Sequence, residues 1–456
     1  MKKIAFYTYG FGHLFVERLL QNENFHSSFP DHDFIIITDN RTHQDFYLKK
    51  KWEVIYLADY KHQDIDVYNS DNFILAMKRY TILNLKAKNQ EKIYAQMHHL
   101  VTKTIEEHNV KAVLFNQKIQ CMEGALIVQC AKALKIPTIC PHYARLGKRS
   151  FLTHTEQEIL PLVKTPSEED NKKASTFLDH YLSAKGFIYP LEVIRPMPKE
   201  HKKNLVRRTL NFFKRSLIQG EDFEWPDFVY SVKENIPLYK KLKSKFNKSK
   251  AKKYFADITE ESLPKKYIYF PLHVYPEASI SIPAPFFKDQ LRAIDLIRLN
   301  LPTDYQLLVK EHPSMIGKRP IGFYKQIQKM AGTRLLSPAV SSFKIIQQAN
   351  LVVSITGTAA FEAFLLGRPS FSLANTFFAS FINTKEINYA TLNISIKEYM
   401  QKQITKEEIL HALSLIYANT FDYYPWGVEI DYYNIVSDEN VNAFSNAIEA
   451  YMPTLK

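Results

Sequence analysis

The residues best suited to chemistry gather between 305 and 373, where short apolar runs end in polar turns. Lys310, Glu311 and His312 follow one such run, and Pro313 ends it. A lysine can hold phosphate oxygens by its charge, and a histidine can hold them by a directed N–H. The sequence therefore predicts a phosphate-binding turn, with a solvated turn as the alternative.

Two predicted helix starts in the same stretch carry hydroxyl groups. Ser341-Ser342 follows a turn that contains proline, and S-I-T-G-T at 354–358 contains a glycine turn. An anion bound at a helix N-terminus uses both hydroxyls and backbone amides. We expect ligand contacts from these starts and the following turn of helix; the residues are Ser341, Ser342, Thr356, Gly357, Thr358 and Glu362. Simple N-caps, and a glutamate that only favours the helix dipole, are the alternatives.

Other titratable residues follow apolar runs elsewhere in the chain. His273 and Glu277 lie in L-H-V-Y-P-E, which follows the run at 266–271, and Glu123 lies beyond the run at 111–115. We expect His273 to contact the ligand and Glu277 to take part in catalysis. Glu123 is the leading candidate for the general base, and His13 is the second. A cap, a surface position or a structural contact is the alternative for each.

The stretch after the first apolar run, Gly10-Phe11-Gly12-His13, departs from G-x-G-x-x-G, so it is a weak nucleotide fingerprint. Its position suits an acceptor or a reacting group instead. Gly12 is therefore assigned to the acceptor side. Gln117, which follows the apolar run at 111–115, is assigned to the same side. The Asp-x-Asp pairs at 31–33 and 64–66 do not end strands, and we predict no metal site.

The elements that must position these residues alternate along the chain. Strands are expected at 3–9, 33–38, 53–57, 111–115, 137–141, 266–271, 305–310, 333–337, 351–355 and 369–373. Helices are expected at 69–99, 121–134, 286–299, 320–331, 341–348, 358–366, 406–418 and 440–451. Strands that alternate with helices predict parallel sheets with crossover helices, and ligands in such sheets bind outside the carboxyl ends of strands.

The length of 456 residues favours more than one domain. We predict two doubly wound α/β domains facing a cleft. The predicted borders are 1–194 for the first α/β domain, 195–258 for a basic helical segment, 259–400 for the second α/β domain and 401–456 for C-terminal helices that pack back across the domains.

The net charge of +13 is concentrated in one segment. Residues 195–255 hold 17 Lys and Arg against 6 Asp and Glu. Apolar residues recur at helical spacing within 203–218, and a second basic cluster covers 240–253. We hypothesise that both contact an anionic membrane surface; packing of the apolar face on the protein is the alternative.

The composition narrows the class of protein further. A hydrophobic content of 46% excludes a disordered chain, and no apolar run reaches the roughly 18–20 residues that cross a bilayer. The three cysteines form no C-x-x-C pair, which indicates buried thiols and a cytoplasmic setting. The basic segment lacks an aromatic RNA-binding pattern and zinc spacing, so we expect no specific nucleic acid partner.

Four stretches resemble a known family: PLHVYPEAS, VKEHPSMIGKRP, SPAVSSF and SITGTAAFEAFLLGRP. They resemble the bacterial capsule and surface polysaccharide biosynthesis glycosyltransferases, which include β-Kdo transferases and transferases of sialic-acid-like nonulosonic acids. The resemblance covers about 267–375. ARLGKRSFLT, at Ala144–Thr153, is also similar to the family and places Arg145 on the acceptor side.

The resemblance implies a GT-B fold in which the C-terminal domain holds a nucleotide sugar and the N-terminal domain holds the acceptor. It also implies inverting transfer without a metal or other cofactor. By motif, His312 and Pro313 match the element that contacts the donor phosphate, Ser341 and Ser342 match a serine pair, and Glu277 matches a Pro-Glu element. Tyr275 stands where the family often has glutamine.

The resemblance leaves the donor and the activity open. A CMP-linked donor of Kdo or a nonulosonic acid is preferred, with UDP- and GDP-sugars as alternatives. A sugar-nucleotide epimerase or hydrolase of the same fold is the nearest rival activity. A basic nucleic-acid-binding protein and a non-catalytic assembly protein are the rivals from other classes. The expected location is cytoplasmic, peripheral to the inner face of the membrane.

Overall fold

The computed structural model describes residues 2–8, 12–57, 59, 87–119, 122–184, 246–275, 280, 283–383, 387–424 and 432–451. The chain forms two compact units. Unit 1 contains Met1–Glu156 and Thr420–Lys456, and unit 2 contains Gln157–Ile188 and Ile236–Asn419. Residues 185–245, which include most of the predicted basic segment, lie outside the described residues.

Twelve strands are described, and the ten predicted from the sequence are all among them. They are β1 (Lys2–Thr8), β2 (His32–Thr38), β3 (Glu53–Tyr56), β4 (Val110–Phe115), β5 (Thr138–Tyr143), β6 (Arg149–Thr153), β7 (Tyr267–Pro271), β8 (Gln306–Lys310), β9 (Thr333–Leu336), β10 (Leu351–Ser354), β11 (Ser370–Ser372) and β12 (Phe421–Asp422). The additional strands, β6 and β12, pair antiparallel.

The described α-helices are α1 (Gly12–Leu20), α2 (Glu23–Ser27), α3 (Arg41–Lys49), α4 (Ala87–Glu107), α5 (Met122–Ala133), α6 (Glu168–Ser183), α7 (Gln290–Arg298), α8 (Ile321–Lys329), α9 (Ser342–Gln348), α10 (Ala359–Leu365), α11 (Ala379–Ile382), α12 (Leu392–Gln401), α13 (Lys406–Ala418), α14 (Tyr432–Ile435) and α15 (Asp438–Tyr451). Short 3-10 turns cover Pro285–Lys288, Pro313–Met315 and Tyr389–Thr391. The helix predicted at 69–99 continues to 107, and its first part lies outside the described residues. None of the described helices is long and apolar enough to cross a membrane.

Both units share one strand order. The sheet of unit 1 runs β12-β6-β5-β4-β1-β2-β3, and that of unit 2 runs β11-β10-β7-β8-β9. Counted within each unit, the parallel strands follow the Rossmann order 3-2-1-4-5, which confirms the predicted pair of Rossmann-like α/β folds. In such a sheet the order reverses beside the first strand, so ligands are expected between β1 and β4 and between β7 and β10.

The core of each unit follows from strand alternation. In β7, Tyr267 and Tyr269 pack with Ile345 of α9, while Ile268 and Phe270 belong to the core on the other face. Burying each large apolar side chain stabilises the fold by about 1.5–3 kcal/mol. A sheet covered on both faces explains why these strands read as nearly continuous apolar runs.

The chain is divided differently from the predicted borders, because α6 belongs to unit 2 rather than to a domain spanning 1–194. Its buried face, with Ala174 and Leu178, packs against α13. Asn419, which ends α13, accepts the backbone N–H groups of Val163 and Lys164 at 2.8 and 2.7 Å. The segment before α6 is therefore tied to the end of α13 within one unit.

The C-terminal region is likewise shared between the units. α12 and α13 belong to unit 2, whereas β12 and α15 complete unit 1. Arg149 donates from Nε to the Thr420 hydroxyl at 2.8 Å and pairs with Asp422, and Tyr423 stacks on Phe444 with ring centroids 4.7 Å apart. The predicted border at 401 lies at the end of α12 and before α13, which both belong to unit 2, so it does not separate the two units.

Two of the three cysteines are described and buried. Burial raises the pKa of the Cys130 thiol to about 12 and that of Cys140 higher still. Thiols with such pKa values are almost fully protonated at neutral pH, and they behave as small apolar side chains.

Candidate functional site

The predicted donor-side residues meet at the carboxyl edge of the unit 2 sheet. β8 ends at Lys310, β7 is followed by His273, and β10 is followed by Thr356 and Gly357. Register pairs Pro271 with Lys310, so the ends of β7 and β8 are level. The arrangement agrees with the edge predicted from the sequence.

Lys310 is a buried cation at this edge. Its ammonium donates to the Ser342 hydroxyl at 2.6 Å, and the residue is 7% exposed. Burial lowers the pKa of Lys310 to about 8, although the charges of Glu362 and Glu260 act in the opposite direction. An ammonium that has lost much of its hydration gains strongly from an anionic ligand.

Ser341 and Ser342 make different contacts at the start of α9. Ser341 is the N-cap, its hydroxyl accepts from the Lys344 backbone N–H at 3.4 Å, and its own N–H donates to Glu260 at 3.1 Å. Ser342 accepts from Lys310 and hydrogen-bonds with the Tyr269 hydroxyl. The N-cap interpretation therefore holds for Ser341, and Ser342 connects the helix start to the lysine.

Glu311 belongs to the turn that was predicted to bind ligand, but its carboxylate is occupied by contacts within the fold. Arg319 Nε donates to it at 2.7 Å, the Tyr324 hydroxyl at 2.8 Å and the His312 backbone N–H at 2.6 Å. The side chain of Glu311 is fully buried. We therefore interpret Glu311 as a residue that fixes the turn rather than one that contacts ligand.

Replacing Glu311 by alanine is expected to lower the free energy of unfolding by about 3–5 kcal/mol, because Arg319 would remain buried without its partner. Chemical denaturation of the purified protein measures this loss. Asp295→Ala is the matched control, since its pair with Arg298 is more exposed and removing it should cost less than about 1 kcal/mol. Equal effects of the two substitutions would contradict the structural role of Glu311.

His312 is exposed and begins the turn at Pro313–Met315. Its Nδ1 accepts the Ser314 backbone N–H at 3.2 Å and lies 2.8 Å from the Ser314 hydroxyl. Because Nδ1 accepts a hydrogen bond, the proton of the neutral ring is on Nε2. The geometry of His312 is compatible with a directed N–H to a ligand, and its role at a phosphate stays a prediction.

His273 and Gly357 touch at the point where the strand order reverses. His273 Nε2 accepts the Thr356 backbone N–H at 3.3 Å, and a Cβ added to Gly357 would lie 2.8 Å from that nitrogen. Gln290 hydrogen-bonds to both the N–H and the C=O of His273. The Thr356 hydroxyl is buried, with no hydrogen-bond partner among the described residues.

Thr358 precedes α10 without capping it by its side chain. Its hydroxyl donates instead to the Glu362 carboxylate at 2.8 Å. Burial raises the pKa of the Tyr181 phenol, and the charge of Glu362 raises it further, which places α6 near the same carboxylate. Glu362 is therefore electrostatically coupled to both Lys310 and Tyr181.

Sequence reasoning missed several residues that build this edge. Tyr269 and Tyr181 read as ordinary apolar positions, and Gln290 lies on a helix far from any motif. Arg319 could have been found, because it belongs to the G-K-R-P run that follows the histidine turn. Its guanidinium also donates to the His273 backbone carbonyl, so it joins two loops of the site.

The acceptor-side predictions lie in unit 1. Gly12 packs against Asn116, whose side-chain atoms are 2.9 Å from a Cβ built on the glycine. Gln117 is 5% exposed and Glu123 is 2% exposed. Arg145 lies in the turn between β5 and β6 with φ of 62°, an uncommon conformation for a residue with a side chain.

Some predictions are not tested by this geometry. Glu277 and most of the basic segment lie outside the described residues. Within the described ranges, no three His, Cys, Asp or Glu side chains are grouped so that they could hold a metal ion. The roles assigned to individual site residues stay predictions.

The fold and site define a protein with two Rossmann-like units, one of which carries a cationic, hydroxyl-rich strand edge. Residues 200–419 match the family model described as "Capsule polysaccharide biosynthesis protein". The match confirms the resemblance to capsule polysaccharide biosynthesis proteins over this part of the chain. The matched residues include every residue of the unit 2 strand edge described above, from His273 to Glu362.

Several solved structures are also similar. The β-Kdo 2,4 transferase of KpsC from Thermosulfurimonas dismutans is 11% identical with a TM-score of 0.37, covering 70% of this chain and 83% of that chain. The β-Kdo 2,7 transferase of the same protein is 14% identical with a TM-score of 0.32, covering 83% and 97%. UDP-GlcNAc 2-epimerase from Neisseria meningitidis, bound to UDP-GlcNAc, is 14% identical with a TM-score of 0.27, covering 100% and 99%. We take no functional assignment from similarities this low. No curated protein sequence matches significantly.

Proposed function

We propose that this protein is an inverting glycosyltransferase of capsule or surface polysaccharide synthesis, working without a metal ion or other cofactor. The preferred donor is CMP-Kdo or a CMP-linked nonulosonic acid, and the acceptor is a glycan or glycolipid. The observation that carries the proposal is the buried Lys310–Ser342 pair, which lies at the carboxyl edge of a Rossmann-like sheet inside the family match.

The chemistry proposed for unit 2 is stabilisation of the leaving nucleotide. As the bond between the anomeric carbon and the phosphate oxygen breaks, negative charge grows on the phosphate. Lys310 supplies a desolvated positive charge, and His312 supplies an N–H from Nε2. Preorganised donors of this kind lower the barrier because they need no reorientation during the reaction.

Unit 1 is proposed to hold the acceptor and to remove the proton from its attacking hydroxyl. The candidate residues are those predicted from the sequence, with Glu123 and His13 as bases and Gln117 and Arg145 as binding residues. The low exposure of Glu123 favours the half-buried His13 as the group that meets a substrate.

A panel of nucleotides tests the donor assignment. We expect CMP and CDP to raise the melting temperature more than UDP or GDP do, because binding to the native state alone stabilises it by mass action. His312→Ala should weaken this stabilisation and abolish transfer from CMP-Kdo. His180→Ala, at an exposed position of α6, is the matched control. Preferential stabilisation by UDP or GDP would overturn the donor choice, and donor turnover without acceptor would favour the epimerase or hydrolase.

We also propose that the basic stretches at 203–218 and 240–253 hold the protein on the inner face of the cell membrane. In the described part, Lys250 lies 4.2 Å from the centroid of Phe246, a ring that is 60% exposed. Flotation with anionic liposomes should fall sharply when Arg207, Arg208, Lys214 and Arg215 are changed to glutamate. Undiminished flotation would contradict membrane contact through this segment.

A further inference from the structure

Two histidine rings stack at the carboxyl ends of β1 and β2 in unit 1. His13 is in the first turn of α1, and His43 is in the first turn of α3. Their ring centroids are 4.1 Å apart with an interplanar angle of 31°. Phe46 meets the His13 ring edge-on at 4.9 Å. The pair is thus built from the first turns of two helices that follow neighbouring strands.

The orientation of His43 is fixed by Thr38. The Thr38 hydroxyl donates its single proton to the Thr8 carbonyl at 3.1 Å and accepts the Asn40 N–H at 3.2 Å. Its contact with His43 Nδ1, at 3.4 Å, therefore requires that Nδ1 carries the proton. The tautomer and the plane of the His43 ring are both set by this contact.

His43 is suited to remain neutral. It is 2% exposed, and it lies in the first turn of α3, where the helix dipole is positive. Burial and the dipole both disfavour a positive charge on its ring. His13 therefore stacks on a neutral aromatic surface rather than on a second cation.

His13 differs from His43 because it is only half-buried and can meet a substrate. Once His13 takes a proton, its positive ring lies against the face of His43, an arrangement that stabilises a cation. The Tyr47 hydroxyl donates to the His13 carbonyl at 3.2 Å and connects α3 to the first turn of α1.

We propose that His13 is the catalytic base of unit 1 and that His43 is its positioning residue. This inference rests on the proposed function. The proton of the acceptor hydroxyl passes to a nitrogen of His13, and the oxygen electron pair forms the new bond to the anomeric carbon. The bond from that carbon to the phosphate oxygen breaks, and its electron pair leaves with the nucleotide.

Other ionisable groups lie on the elements around the pair, and they contribute to its pH dependence. Glu17, one turn beyond His13, pairs with Lys50 of the segment after α3, and Lys50 lies 4.7 Å from the Phe46 centroid. Asp39 accepts from the Tyr7 hydroxyl at 3.2 Å. The remaining ionisable residues of α1 and α3 are Arg18, Arg41, Asp45, Tyr47 and Lys49. Those of the adjacent strands are Lys2, Lys3, His32, Asp33, Glu53 and Tyr56.

The test compares two substitutions of His43 by how the rate of transfer depends on pH. The rate is measured as CMP release from CMP-Kdo, with p-nitrophenyl glycosides as acceptors. His43→Leu removes the aromatic face, so we expect a roughly 10-fold loss of rate and a shift of the acidic limb to lower pH. His43→Phe restores the face and should keep the limb in place with a loss below about 3-fold. His13→Ala should lose about 10²–10⁴-fold.

His26→Leu, at an exposed position of α2, is the control for loss of a histidine in unit 1. A leucine variant with reduced rate but an unmoved acidic limb would show that His43 is merely structural and would overturn the proposal. Transfer by His13→Ala at the wild-type rate would overturn it as well. Thermal unfolding of each variant identifies any that fails to fold, and the phenylalanine variant keeps the ring volume nearly unchanged.

A separate measurement needs no acceptor. Long-range ¹H–¹⁵N spectra of the wild-type protein should show the His43 proton on Nδ1. A proton on Nε2 would contradict the Thr38 contact and remove the positioning role. If the wild-type protein neither binds CMP nor turns over CMP-Kdo, the proposed function fails, while the spectra still decide the geometry of the pair.

Discussion

Lys310→Met is expected to lower the rate of transfer by about 10²–10³-fold, the usual cost of removing one preorganised donor to a developing anion. Methionine nearly preserves the length of the lysine side chain, so the effect reports the lost charge and the lost contact with Ser342. Initial rates of nucleotide release at saturating donor provide the measurement. Lys325→Met, at an exposed position of α8, is the matched control.

Although Lys310→Met is expected to lower the rate of transfer, it should not lower the free energy of unfolding. The pKa of Lys310 is about 8 in the folded protein, below the ordinary value of 10.5, so the unfolded chain binds more protons between these pH values. Wild-type stability therefore rises with pH across this window, by up to about 3 kcal/mol. The methionine variant should lack this rise and should be at least as stable as wild type at pH 7. Normal transfer by this variant would remove Lys310 from the site.

Gly357→Ala is expected to disrupt the site through one steric contact. The new Cβ would lie 2.8 Å from His273 Nε2. The ring cannot easily yield, because Gln290 and Arg319 hold the His273 backbone while Thr356 donates to its ring. We expect a loss of about 1–3 kcal/mol in the free energy of unfolding and a fall of at least about 10-fold in nucleotide affinity.

Two further variants isolate this contact. Gly322→Ala places a methyl group in open space on α8, so it should leave nucleotide affinity unchanged and stability equal or slightly higher. The double variant Gly357→Ala with His273→Ala removes the clash, and its loss of stability should be smaller than the sum of the single losses. Additive losses would show that the Gly357–His273 contact is not the cause.

The sequence predicted the strand edge well because the signals there are local. An apolar run that ends in Lys310, or in the turn before Gly357, identifies both a strand and the end that faces ligand. Pro313 and the serine pair add turn and helix signals at the same places. Short-range patterns of this kind survive folding because each residue responds mainly to its neighbours in the chain.

The partners of those residues could not be predicted, because they are brought together by tertiary packing. Nothing near Glu311 in sequence indicates that Arg319 and Tyr324 would occupy its carboxylate. Thr358 looked like a helix cap, yet its hydroxyl turns to Glu362. His43 belongs to no motif, and its contact with His13 arises only because α3 places it against the first turn of α1.

The division of the chain also has a consequence for synthesis. Unit 2 needs α6, made before residue 184, and α13, made more than two hundred residues later. Unit 1 needs β12 and α15, which emerge after all of unit 2. Proteins fold during translation from the N-terminus only where a complete unit has left the ribosome. Neither unit can therefore finish folding until the chain has been made at least as far as α13.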